Sequence, residues 1–344
     1  MIRVGVVGYG YWGPNLVRNL AEAPDCQVAA ICDSSQERLA VARHRVPAAA
    51  TTTQWQDLVQ DPRVDAVAIA TPVSTHFEIA LEALRAGKHV LLEKPMAATA
   101  DQALRLIDEA ERRRLTLMVD HTFVFTGAVR KIRETIEAGD LGEIYYYDSV
   151  RVNLGVFRND VNVIWDLAAH DFSIVDYLFA QSPCAISATG MNHVPGGVEN
   201  IAWVTAFFQS PLIVHLGLNW LAPVKVRQTL IGGSEKMIVY DDLEPSEKVK
   251  IYDKGITVGG GVSPESLYGL RIGYRTGDMR APNLDTTEAL RTAALHFLQC
   301  VETGRQPITG GCAGLRVVRL LEAATHSLHH RGRLVELEGG SVPA

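Results

Sequence analysis

The rhythm of apolar and polar positions changes partway along this chain. Residues 2–8 (IRVGVVG) form a continuous apolar run of strand length, and residues 12–22 then place Trp12, Leu16 and Leu20 at helical spacing. The succession repeats. QVAAIC (27–32) reads as a strand and QERLAVARH (36–44) as a helix; VDAVAIA (64–70) reads as a strand and THFEIALEALRAG (75–87) as a helix stopped by Gly87. KHVLLEK (88–94), a helix over 99–113 and the strand LTLMVD (115–120) complete the series. Strands separated by single helices pair in parallel with right-handed crossovers, and unbroken apolar strands fit a sheet buried on both faces. The expectation is a doubly wound α/β domain.

Beyond residue 122 the pattern differs. A helix over 127–138 ends at Gly139, and the strands EIYYYDSVRV, NIAWVTAFF, LIVHLGLNWL, VRQTLIGG and KMIVYDD alternate and carry more Tyr, Trp and Thr, as in an antiparallel sheet. A helical stretch at 165–179 interrupts them, helices at 286–303 and 312–330 close the chain, and the Gly- and Pro-rich stretch 253–283 is expected to be a long loop. The division is therefore an α/β domain over 1–122 and an α+β domain with a large, mostly antiparallel sheet over 123–344.

A length of 344 residues suits two domains better than one core, and 47% hydrophobic with 21% charged residues suits a globular protein. A net charge of -6 gives no electrostatic reason to expect nucleic acid or an anionic membrane as partner. No apolar stretch approaches the roughly 20 residues of a membrane span. Five scattered cysteines (Cys26, Cys32, Cys184, Cys300, Cys312) argue for a reducing compartment and against a disulfide framework or a metal site. With no basic segment leading into a long apolar run at the start, a cytoplasmic location is expected.

The first strand runs into VGVVGYGYWGPNL (4–16), where Gly8, Gly10 and Gly13 sit between strand and helix. In that context Gly8 makes the tight turn, Gly10 lets a pyrophosphate approach the backbone and Gly13 lets helix and strand pack closely. Tyr9, Tyr11 and Trp12 belong to the same cofactor-contacting loop. Asp33, twenty residues beyond Gly13, ends the second strand and can accept from the adenine-ribose hydroxyls, with Ser34 beside it. This favours NAD, while Arg38 keeps NADP open. In ATPVSTH (70–76), Thr71 and Pro72 border the nicotinamide ribose; the plainer alternative is a strand end followed by a helix cap. His76 lies with them and is read as packed in the first helical turn rather than catalytic.

Glu93-Lys94-Pro95 stands at the same carboxyl edge of the sheet. A partly desolvated lysine beside a cofactor can take part in proton transfer; a strand-end salt bridge is the alternative. His121, after the sixth strand, borders the nicotinamide. In IWDLAAHDFSIVDYL (164–178), Asp166 and His170 are four apart and share a helix face, where the carboxylate can orient the imidazole. Alone such a pair reads as structural; with Lys94 at a dinucleotide site it reads as chemistry. Arg151, Asn153 and Trp165 are candidate substrate contacts. Lys225, Arg227 and Arg275 are read as sheet-edge charges, with a nucleotide diphosphate as the alternative. His326, His329 and His330 are read as helix surface, not as metal ligands.

Taken together, GYGYWG, ATPVSTH, EKP, the later DxxxHD and the ending GRQPITGGCAGLRVVRLLEAATHSL resemble the glucose–fructose oxidoreductase / inositol dehydrogenase / rhizopine catabolism (Gfo/Idh/MocA) family over nearly the whole chain. The resemblance implies a Rossmann domain followed by a substrate-binding and oligomerisation domain. It implies hydride transfer between NAD(P) and a carbon bearing a sugar or polyol hydroxyl, in a homodimer or homotetramer. The family's catalytic lysine falls on Lys94, and its Asp and His on Asp166 and His170. Two stretches depart from the pattern: Asn162-Val163-Ile164-Trp165 replaces a glycine-rich turn, and DHTFVF (120–125) stands where Asn and Arg are common. The start and VNVIWDLAAHD look closest to bacterial enzymes that oxidise C3 of a sugar, nucleotide-sugar or aminoglycoside before transamination. A keto-sugar reductase, an internal redox enzyme with tightly held NAD(H) and a non-catalytic NAD-sensing regulator are the competing readings.

Overall fold

The computed structural model describes residues 1–155, 161–195, 197–259 and 271–337. In chain order the first lobe contains β1 (Ile2–Val7), α1 (Gly13–Ala21), β2 (Cys26–Cys32), α2 (Gln36–Arg45), β3 (Ala50–Thr52), α3 (Trp55–Gln60), β4 (Ala66–Ile69), α4 (Val73–Arg85), β5 (His89–Glu93), α5 (Ala100–Arg113) and β6 (Leu117–Asp120). All pairings in this sheet are parallel, in the order β3-β2-β1-β4-β5-β6. The order reverses between β1 and β4, so a crevice opens at the carboxyl ends of those strands, where open α/β sheets hold ligands. Sequence periodicity did not predict β3 and α3, because three and six residues are too short to show a period.

A 3-10 turn over Thr122–Phe125 leads into the second lobe: α6 (Gly127–Glu137), β7 (Ile144–Leu154), a π-turn over Ile164–Ala168 running into α7 (Ala169–Leu178), β8 (Ala185–Met191), β9 (Ile201–Phe207), β10 (Ile213–Asn219), β11 (Leu221–Gly233), β12 (Met237–Asp241), β13 (Val249–Tyr252), β14 (Gly255–Gly259), β15 (Arg271–Arg275), β16 (Met279–Arg280), α8 (Ala289–Thr303), α9 (Gly311–His329) and β17 (Val335–Glu336). Among the described residues the large sheet runs β16-β13-β12-β11-β7-β10-β9-β8-β17. Its pairs are antiparallel except β7–β10, which is parallel, so the sheet is mostly antiparallel, as expected. The expected loop over 253–283 is corrected too: β14 pairs with β15 and β16 extends the sheet edge, while 260–270 lie outside the described residues.

One face of the large sheet is buried under α7 and α9, with Tyr147, Phe172, Val204, Leu216 and Leu321 in its core. Leu290, Ala294 and Phe297 of α8 return to the first lobe and pack with Val4, Leu16 and Leu20. Leu315 and Val318 of α9 join the first lobe's other core, and Leu320, Leu321 and Ala324 join the second's. Burying each such large apolar side chain contributes roughly 1.5–3 kcal/mol. α8 packs on α1 and β6, and α9 on α5, β6 and the π-turn, so the two helices tie the lobes together.

Candidate active site

The glycine loop has the geometry its spacing implied. Gly8 has φ +98°, and a Cβ there would lie 2.6 Å from the Ala70 carbonyl oxygen; a Cβ on Gly13 would lie 2.1 Å from Gly8 O. Gly10 is different: within 4 Å an added Cβ would meet only the Arg38 guanidinium, so its free side is open to a ligand. Trp12 precedes α1 without a side-chain cap, leaving the first amides available to an anion. Asp33 accepts from the Tyr9 N–H at 2.7 Å and the Ser35 N–H at 2.8 Å, with Arg38 3.6 Å away. The carboxylate thus braces the glycine loop from the ribose end. Ser34 is exposed beside it. Tyr11 is 93% exposed and stacks with Trp12, centroids 6.5 Å apart. The Tyr9 ring is buried in the core and its N–H is taken by Asp33, so the expected cofactor contact of Tyr9 is corrected.

His76 is packed in the first turn of α4, as expected, and only its contact to cofactor is corrected. Its Nδ1 lies 2.9 Å from Pro95 O and its Nε2 2.9 Å from Thr71 O, and the ring is buried. Burial lowers its pKa against the pull of both carbonyls, so the neutral ring donates to one of them. It clamps the loop after β4 to the turn after β5 rather than facing a cofactor. That clamp fixes Thr71 and Pro72 at the crevice, where the Thr75 hydroxyl stands 2.8 Å from both Thr71 Oγ1 and Pro72 O.

Lys94 reaches across from β5 to the second lobe. Its Nζ donates to the Asp166 carbonyl oxygen at 2.9 Å and lies 3.5 Å from Asp166 Oδ1. Trp220, between β10 and β11, donates its indole N–H to Asp166 Oδ2 at 3.1 Å. Asp166 sits in the π-turn, a helix irregularity often found at functional sites. No hydrogen bond between Asp166 and His170 is present among the described residues, so the expected orienting role is corrected: the carboxylate is shared by Lys94 and Trp220. His170 is positioned by Phe123 instead, edge-on at 4.9 Å, and Phe123 in turn lies under Arg151 and Arg227. Burial first, then the charges of Lys94, Arg151, Arg227 and His121, hold His170 well below the usual histidine range. The imidazole is neutral and able to accept a proton.

Two substrate candidates are redirected. Arg151 is 4% exposed and its Nε donates to Asp171 at 2.7 Å, so its charge is neutralised inside the lobe. Trp165 packs against both cores and donates to Thr325 Oγ1 at 3.0 Å. Asn153, on the same face of β7 as Arg151, is half-buried next to Trp220 at the Gly155 turn. Phe123 and Trp220, which sequence reasoning missed, carried no signal beyond that of ordinary core aromatics.

Buried polar atoms line this edge: Trp12 Nε1, Glu93 Oε1, Asp120 Oδ2, both ring nitrogens of His121 and His170 Nδ1, the histidine nitrogens without a partner. Leaving such groups unsatisfied costs on the order of 1–3 kcal/mol each. Glu93 and Asp120 face each other across β5 and β6; burial and then the charge of Asp120 raise Glu93 well above the usual carboxylate range. Burial and the Lys94 charge push His121 down to about 3. Donors, a protonated acid and a neutral imidazole suit a polar aromatic ring with a carboxamide, and the open Gly10 side suits its pyrophosphate.

The lobe, loop and edge define an NAD-binding oxidoreductase. Residues 2–121 match the oxidoreductase family with an NAD-binding Rossmann fold, and residues 129–239 match the GFO/IDH/MocA C-terminal domain. The chain belongs to the Gfo/Idh/MocA family of oxidoreductases, which includes named dehydrogenases acting on hydroxyl groups. Myo-inositol 2-dehydrogenase of Thermotoga maritima is 25% identical, covering 98% of this chain and 99% of its own. UDP-N-acetylglucosamine 3-dehydrogenase of Acidithiobacillus ferrooxidans is 28% identical, covering 92% and 94%. A crystal form of the latter superposes with a TM-score of 0.81, covering 96% of this chain and 98% of that one at 26% identity. GenD2 from gentamicin A biosynthesis, solved with NAD, has the same fold at a TM-score of 0.81 and 21% identity, covering 98% and 96%. No helix among the described residues is long and apolar enough to cross a membrane.

Proposed function

We propose that this protein oxidises a secondary hydroxyl, at C3, of a sugar, nucleotide-sugar or aminoglycoside to a ketone. The observation that carries the reading is the Lys94–Asp166 contact across the two lobes at the crevice edge, with His170 one turn along the same helical segment and within reach of the Lys94 charge. Bound nicotinamide supplies the hydride acceptor. The chain's own task is the proton. His170, neutral and beside Lys94, takes the hydroxyl proton, while the Lys94 ammonium stabilises charge developing on the oxygen. Asp166 and Trp220 hold that ammonium in place. The likeness to a UDP-N-acetylglucosamine 3-dehydrogenase over most of the chain supports C3. Asp33 at the ribose end supports NAD over NADP.

The outer face of the large sheet supports a homodimer or homotetramer. Register places Trp203, Gly217 and Val150 in one row across β9, β10 and β7, and Phe207, Ile213 and Tyr146 two rows along on the same face, with Thr205, His215 and Asp148 between them. Trp203 is 53% exposed, an unusual place for an apolar ring on a monomer.

The test is a panel of UDP-sugars, free sugars and aminoglycosides with NAD, followed by reduced-nicotinamide absorbance. A product ketone at C3 supports the reading; binding of NAD with no turnover of any hydroxyl substrate overturns it.

A further inference from the structure

A cavity of about 390 Å³ is lined by His121, Ser173, Thr309, Ala313, Asp176 and Arg316. It reaches the surface beside Ile308, which is exposed. The volume has room for roughly a dozen waters. Its charges are matched, since Arg316 pairs with Asp176 at 2.9 Å and Arg133 with Glu137 at 2.6 Å, so it is polar without favouring an anion. His121 is 1% exposed and both its ring nitrogens lack partners. On α7, His170, Ser173 and Asp176 follow one another at helical spacing, and the Ser173 hydroxyl donates to the His170 carbonyl oxygen at 2.7 Å. The same helix therefore carries the proposed base at the crevice and two polar groups of the cavity. Phe123, packed on His170, is two residues from His121.

We propose that this cavity is the exit route for the proton released in each oxidation, running from His170 through His121 and water to solvent at Asp176. The inference rests on the dehydrogenase reading above. Each turnover breaks the substrate C–H and O–H bonds, forms C=O, sends two electrons with the hydrogen to NAD⁺ and leaves one proton on His170. Substrate and cofactor cover the front of His170 while bound, and this proton must still depart before the next turnover. A neutral imidazole at His121 accepts a proton on one nitrogen and releases one from the other, so its own charge is restored after each transfer.

Ala313→Phe fills the cavity, and His121→Ala removes the relay while leaving space for a small base. The first-turnover burst of reduced nicotinamide, steady-state turnover, the solvent isotope effect and the response to added imidazole are measured, with the urea unfolding midpoint as the folding control. The account predicts an unchanged burst in Ala313→Phe, about tenfold slower later turnovers and a larger solvent isotope effect. In His121→Ala, imidazole restores the lost rate. Wild-type steady-state rates in both variants, or losses that imidazole leaves untouched in His121→Ala, contradict the route alone. Absence of any turnover by the unaltered enzyme contradicts the dehydrogenase reading and the route with it.

Discussion

The ammonium of Lys94, at the end of β5, donates a 2.9 Å hydrogen bond to the backbone carbonyl of Asp166 in the π-turn of the other lobe. The Asp166 side chain is fixed independently by the Trp220 indole at 3.1 Å. Both contacts fix the Lys94 ammonium and the Asp166 carboxylate together at the crevice edge. Trp220→Phe keeps the buried ring and removes the N–H. Turnover is expected to fall about tenfold with NAD affinity unchanged, read from kcat beside an NAD titration; unaltered kcat removes Trp220 from the site.

Under the proposed function, the choice between NAD and NADP falls at Asp33. Its carboxylate is held by two backbone amides and faces Arg38 at 3.6 Å. Asp33→Ser removes the group that repels a 2′-phosphate and leaves Arg38 free to meet one. The ratio of NADP to NAD affinity is expected to rise at least about tenfold in fluorescence titrations, and an unchanged ratio contradicts the assignment.

The histidines give stability an acid dependence of definite sign. His121 titrates at about 3 in the fold against 6.5 in an open chain, and burial lowers His170 and His76 as well. Between those values the unfolded chain binds more protons, so stability falls as pH drops, by up to about 1.4 kcal/mol per unit for each histidine. Glu93 and Asp120 act oppositely: their raised values mean that the fold binds more protons than the open chain, a contribution kept in acid and lost as pH rises. Urea unfolding at pH 6 and pH 5 should show a shallower acid loss in His121→Gln than in the unaltered protein. Equal slopes contradict a neutral buried His121.

The exposed rows on the large sheet predict association through that face. Trp203→Asp puts a charge in the middle of the apolar row, between Thr189 and Gly217 in register. Sedimentation should show the assembly shifting to monomer with the fold intact; an unchanged mass places the interface elsewhere.

The first lobe was readable because its strands and helices are long, apolar and regularly spaced, and the glycine turn, Asp33 and Lys94 are local to strand ends. The second lobe was readable only in outline. β8 (AISATGM) is short of large apolar residues, and the parallel β7–β10 pair depends on which strands meet in space, not on any one strand's pattern. At the site, spacing placed Asp166 and His170 one turn apart, but the π-turn directs the carboxylate to Lys94 and Trp220. Nothing in the composition of β7 tells that Arg151 is consumed by Asp171, a residue twenty positions away. Those relations are made by tertiary packing, which overrides local preference.

The central claim is that Lys94 and His170 act on one substrate oxygen as a unit. A double-mutant cycle on NAD reduction, with Lys94→Ala, His170→Ala and the pair, tests it most directly. Each single change is expected to cost about a hundredfold or more in kcat, and the pair little more than either alone, as for groups that work together. Losses that multiply, or wild-type turnover in either single variant, would contradict it.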